Sequence, residues 1–131
     1  MNENELMIGN QVISHCADGS SIIIEVTGIR PPYVFGKYQG RETWNTLNNI
    51  DPIPLTHDIL SKVGFKHCMR NIYVYIGKNS LCENVIFIEY NPRNGCLFIN
   101  DCMVTRPVRY FHQLQNIFRF YGIDMNEIEE V

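Results

Sequence analysis

Alternation of apolar and polar positions dominates the first third of the chain. Ile22, Ile24 and Val26 alternate with Ile23, Glu25 and Thr27, which predicts a half-buried strand over Ser21 to Thr27. Gly9 to Ser14 reads as a shorter strand before it, and Ala17-Asp18-Gly19-Ser20 supplies the Asp-Gly pair that a tight reversal favours. Tyr33 to Tyr38 and Glu42 to Leu47, parted by Gln39-Gly40, predict a third and a fourth strand. Short strands at this density predict a small, curved antiparallel β-barrel of SH3-like type over residues 1–50.

Residues 51–56 break the pattern. Pro52 and Pro54 each force the preceding residue out of helical geometry and remove a backbone donor, so the stretch reads as a Pro-rich connector. Thr56 can then cap a short helix over His57 to Val63, with Asp58 near its positive end and Gly64 past its last turn. Asn71 to Ile76, Asn84 to Tyr90 and Cys96 to Asn100 are rich in β-branched and aromatic residues, which predicts an antiparallel β-meander. Asn94-Gly95 marks its tightest hairpin, and Met103 to Arg106 is a candidate further strand. From Pro107 to Tyr121 the period becomes helical, with Tyr110, Leu114, Ile117, Phe118 and Tyr121 on one side, Phe111 at its margin and Gly122 as the stop. The expected fold is therefore α+β. A short helix, the meander and a C-terminal amphipathic helix fill residues 57–122, and an acidic tail fills 123–131.

Charge changes this picture more than composition does. The net charge of -3 conceals six acids against three bases in residues 1–56, four against eight in 57–122, and four acids in the tail. On a helical projection Arg109, His112, Asn116 and Arg119 share the face opposite the apolar stripe, with Phe120 at its edge. Arginine and exposed aromatics are enriched where proteins meet partners, so these five residues are the candidate set for binding a protein partner. The same side-chain types grip phosphate and stack bases. Nucleic-acid binding by the basic 57–122 region is thus the alternative, although the negative total charge opposes a counterion-release mechanism. Tyr33, Phe35, Tyr38 and Trp44, near Arg41, form a second aromatic group, which in so small a domain is expected to be core.

The remaining classes find little support. The longest apolar runs, Ile22 to Ile24 and Val85 to Ile88, fall far short of the roughly 20 residues of a membrane helix, and the acidic N-terminus lacks the features of a secretory signal. A cytoplasmic protein without membrane contact is expected. Cys16, Cys68, Cys82, Cys96 and Cys102 are odd in number, with no Cys-x-x-Cys spacing, and suit buried thiols in a reducing compartment. His15-Cys16 and His67-Cys68 could each form half of a zinc site, but core packing is the expectation. No nucleophile motif, phosphate loop or dinucleotide fingerprint occurs. Nothing in the sequence pairs Cys16 or Cys102 with His112, and Glu129 and Glu130 are expected to be solvated. The expectation is a protein that is not an enzyme and needs no cofactor.

Gly9-Asn10, Ile50-Asp51-Pro52-Ile53-Pro54-Leu55-Thr56 followed by Gly64-Phe65, and Tyr110-Phe111-His112-Gln113-Leu114-Gln115-Asn116 before Tyr121-Gly122 occur in that order. In this order the chain resembles a group of small proteins common in gut anaerobes, their prophages and their phages. Phe111 departs from the group's usual Tyr-Val-His form and keeps the apolar role. The resemblance implies a setting of mobile elements, where small acidic proteins often act by binding a host protein, anti-CRISPR inhibitors and other counter-defence factors among them.

Overall fold

The computed structural model describes residues 1, 3–81 and 84–129, so Cys82 and Glu130 lie outside the described residues. The chain forms two compact units. One runs over Met1–Ile53 and takes in the chain from Glu127, and the other covers Pro54–Asn126. Each is built on a five-stranded sheet whose neighbours pair antiparallel.

In the first unit β1 (Gln11–His15), β2 (Ser21–Arg30), β3 (Tyr33–Tyr38), β4 (Arg41–Thr46) and β5 (Ile50–Asp51) lie in the order β4-β3-β2-β1-β5. Every second residue turns inward, so that Val12, Ile24, Val26, Val34 and Ile50 form a core with Leu6. The sheet curls strongly. Ser14 on β1 donates to Asn45 Oδ1 on β4 at 2.6 Å, although β2 and β3 lie between them in the ladder. Gly36 sits inside the curl, where an added Cβ would come within 2.8 Å of Ile24 Cδ1.

The expected SH3-like barrel is corrected here, because the curl stops short of closure. β5 is two residues long and pairs only with Ile13 and Ser14. Pro52, directly after it, has no N–H with which to extend the ladder. Among the described residues no ladder joins β4 to β5. The acidic tail also behaves differently at one point: the backbone N–H and C=O of Ile128 both bond the side-chain amide of Gln11, each at 2.8 Å, and Ile128 is buried.

The second unit contains α1 (His57–Val63), β6 (Lys66–Met69), β7 (Ile72–Lys78), β8 (Val85–Asn91), β9 (Cys96–Ile99), β10 (Cys102–Met103) and α2 (Phe111–Phe120), its sheet ordered β10-β9-β8-β7-β6. Tyr73, Ile86, Ile88, Tyr90, Leu97 and Ile99 are buried, as are Ile59, Leu60 and Val63 of α1 and Phe111, Leu114 and Phe118 of α2. The Phe65 ring gathers this core, with centroids 5.4 Å from Tyr75, 6.2 Å from Phe118 and 6.5 Å from Tyr90. Thr56 Oγ1 accepts from Ile59 N at the start of α1. Both helices end in the paired reverse bonds of a Schellman motif. Gly64 N and Phe65 N reach Ser61 O and Leu60 O, and Gly122 N and Ile123 N reach Arg119 O and Phe118 O.

α2 is shorter than the periodic stretch that predicts it. Val108 N donates to Gly95 O at 2.8 Å and Leu55 N to Arg109 O at 3.1 Å, which holds the residues before α2 extended. Gln113 Oε1 then accepts from Arg109 N and Tyr110 N, at 2.8 and 3.1 Å, and closes the first turn. With 44% of the described residues in strands and 18% helical, the structure is mostly β, and this corrects the expected α+β class. No helix among the described residues is long and apolar enough to cross a membrane.

Candidate docking surfaces

The five residues of the expected binding set divide in three ways. His112 is 1% exposed and its ring stacks on Tyr110, so it belongs to the packed side of α2. Arg109 is exposed and reaches the hairpin turn, Nη2 donating to Asn94 O at 3.3 Å. Asn116 and Phe120 come together in a groove of about 450 Å³, which also takes in Met103, Ile117 and Tyr121. Phe120 is 83% exposed, and its ring stands edge-on to that of Tyr121 at 5.2 Å. Arg119, also exposed, lies beside it.

A further surface of this unit is one the sequence reading missed. The sheet buries one face against the helices, and on an antiparallel sheet with one free face that face is ordinarily polar. Here it carries Ile72, Val74 and Ile76 of β7, Val85 and Phe87 of β8, Phe98 of β9 and Met103 of β10. Ile76 pairs across the ladder with Phe87, and Met103 with Phe98. Ile76 is 68% exposed, and Val85 and Met103 are exposed as well. Glu89, between Val74 and Phe98, interrupts the patch. A signal for it was present: Ile72-Tyr73-Val74-Tyr75-Ile76 and Val85-Ile86-Phe87-Ile88 are apolar without alternation, the pattern of strands covered on both faces.

The first unit has its own aromatic surface. Trp44, expected in the core, is 74% exposed on the outer face of β4. Its cross-strand partner Phe35 lies 4.9 Å away at 86°, and Tyr33 6.2 Å away at 65°. Tyr38 of the same expected group does pack against the core.

A polar row crosses the same unit. His15 Nε2 lies 2.5 Å from Asp51 Oδ2, and His15 Nδ1 lies 3.0 Å from Ser21 Oγ, beside a cavity of about 730 Å³ that Ile13, Ile22 and Tyr38 also line. The row joins β2, β1 and β5 through solvent-exposed side chains, where water competes for each bond. His67 stacks on Tyr73 at 4.8 Å and bonds Arg70 O. Cys16, Cys68, Cys96 and Cys102 are free thiols, Cys68 and Cys102 being exposed rather than core. The described residues contain no group of three or more His, Cys, Asp or Glu able to hold a metal.

The tyrosines of the second core are tuned by burial. Tyr90 donates its hydroxyl to Val108 O at 2.5 Å, and burial raises its pKa above the ordinary 10.0, with Arg109 pulling the other way. Burial and the charge of Asp124 raise Tyr75 in the same direction. At neutral pH both are therefore uncharged members of the core.

The chain is similar to the DNA-directed RNA polymerase 35 kDa subunit of vaccinia virus, with 24% identity over 115 residues in strains Western Reserve and Ankara alike. The match covers 79% of this chain and 36% of that subunit, so the chain spans well under half the length of these relatives. No family model and no solved structure matches the chain.

Proposed function

We propose that the chain is a non-enzymatic docking module, which binds another protein of a virus or its host through the free face of the β6–β10 sheet and the adjoining Phe120 groove. One observation carries this reading: Ile76 and Phe87 are direct cross-strand partners on a face open to water. Contiguous apolar surface of this kind is costly to leave solvated and marks interaction sites. Phe120, exposed beside Met103 and Arg119, adds the aromatic and arginine chemistry common in interface anchors. The similarity to a polymerase subunit supports a place in a transcription assembly, and the RNA polymerase of the virus or host concerned is the first partner to test.

The test is co-sedimentation of the purified protein with that polymerase. Wild type is expected to travel with the complex, and the double variant Ile76→Thr, Phe87→Thr to travel alone with an unchanged melting temperature. Retention of the double variant would place the contact elsewhere. Eight bases against four acids in residues 57–122 favour a second reading, a nucleic-acid surface. That reading requires affinity for oligonucleotides that falls steeply with salt, and no affinity at low salt removes it.

A further inference from the structure

We propose that two copies of the chain join edge to edge through β4, in one antiparallel register centred on Trp44. The contact is separate from the sheet face of the second unit, and its cause lies in the backbone. A sheet edge is a row of unpaired N–H and C=O groups that invites another strand, and proteins ordinarily blunt it. Of the four edges of the two sheets, three are blunted. β5 and β10 are two residues long, β5 with Pro52 behind it, and β6 carries a bulge between His67 and Met69 beside Lys66. β4 has six residues, no proline and an unbroken register with β3. Among the described residues no strand and no isolated bridge pairs with its other side.

Two observations fix which groups of β4 point outward. Gln39 and Gly40, with φ of 51° and 78°, form a two-residue hairpin loop that closes on the pair Tyr38–Arg41. Leu47 N donates to Pro32 O at 3.1 Å, an even step further along and in the same phase. Hydrogen-bonded pairs alternate along an antiparallel ladder. Arg41, Thr43 and Asn45 therefore bond β3, and the N–H and C=O groups of Glu42, Trp44 and Thr46 face away from it. β4 of a second copy meets those three residues with matching outward groups in one register. Trp44 lies opposite Trp44 on a two-fold axis and Glu42 opposite Thr46 at both ends, with about six new hydrogen bonds. Sliding by two residues loses one of these pairs, and sliding by one sets outward groups against inward ones. The match needs no second sequence, because it follows from β4 and a two-fold axis.

The same register suits the side chains. Phe35 is the partner of Trp44 within the sheet, 4.9 Å from it, so pairing continues their row into the Trp44 and Phe35 of the second copy. It also covers Trp44, which is 74% exposed in the single chain. In the neighbouring row Lys37 pairs with Glu42, and Glu42 meets the threonine of the second copy, behind which stand that copy's Tyr33 and Arg30. No like charges oppose each other across the new ladder.

Sedimentation velocity over a range of concentrations reads the association, with emission from Trp44, the single tryptophan, as a local report. Wild type is expected to pass reversibly from monomer to dimer as its emission moves to the blue. Glu42→Pro removes only an outward N–H and should leave a folded monomer. Thr46→Glu sets acid against acid at both ends of the ladder and should weaken the dimer about tenfold. Adding Glu42→Lys to Thr46→Glu should restore it, and Thr46→Lys alone should tighten it about threefold. All variants are expected to keep near-native melting curves. Wild type that stays monomeric throughout overturns the proposal. So does a dimer indifferent to Glu42→Pro, or one that the double variant Ile76→Thr, Phe87→Thr dissolves, which would place the contact on the second unit. A dimer that Glu42→Pro dissolves but no charge change at Thr46 affects is paired in another register, and that result overturns it too.

Discussion

The hydroxyl of Tyr90 shows how one atom ties two parts of a core, since it donates to Val108 O just where the chain approaches α2. Its folded pKa lies above the unfolded value, so its contribution to stability is complete below about pH 10 and is lost as pH climbs through the folded value. Tyr90→Phe should lose about 1 kcal/mol at neutral pH and move the alkaline unfolding limb upward, as followed by circular dichroism against pH. Gly36 is constrained by space. A methyl there would press on Ile24 Cδ1, Glu25 O and Thr43 Oγ1 at once, and Gly36→Ala is expected to cost about 1–3 kcal/mol in urea unfolding. Neither Trp44 nor His112 was legible at this scale. A lone tryptophan argues for a core, but an edge strand of a curled sheet has an outer face, and that is where Trp44 points. His112 was misplaced because the stripe was anchored on Tyr110 and Tyr121, which flank the helix. Phe111, Leu114 and Phe118 set the true stripe, rotated roughly an eighth of a turn towards His112.

Among the elements, α1 was the most legible, because its signals are local: Thr56, Asp58 and Gly64 each act within one turn. Gly64 has a φ of 117° and lies over the Tyr75 ring, which an added Cβ would meet at 3.2 Å. Gly64→Ala should therefore destabilise the second unit by about 1–2 kcal/mol, seen as a lower urea midpoint at unchanged m-value. α2 was legible in kind but not in length. The bonds from Val108 to Gly95 and from Leu55 to Arg109 are long-range, and they claim as extended chain what periodicity assigns to a helix. β6 escaped notice because Lys66 to Met69 are all exposed and show no alternation. The barrel expectation failed on two residues of β5 and the proline behind them. The strand runs themselves were visible, yet closure depends on one ladder that only the folded chain can form or omit.

For the molecule as a whole, charge and surface follow the two units. Acids dominate the first and bases the second, a contrast that the net charge hides. The long-range bonds of Gln11 to Ile128 make the first unit discontinuous in sequence. Ending the chain after Asn126 should remove about 2–4 kcal/mol from that unit, through lost isoleucine burial and an unsatisfied Gln11 amide. Hydrogen exchange of the β1 and β2 amides is the measurement, and unchanged protection there would show the Ile128 contact to be dispensable.

Because the second unit is spliced into the first between Ile53 and Glu127, it is tethered at both ends. A protease that cuts one of its loops severs the covalent path between the two parts of its neighbour. From that moment the segment from Glu127 is held to β1, among the described residues, by the grip of Gln11 and the burial of Ile128. Nicking in one place thus becomes a dissociation equilibrium in another, and the released C-terminal fragment would carry β-strands and an acidic end away with it.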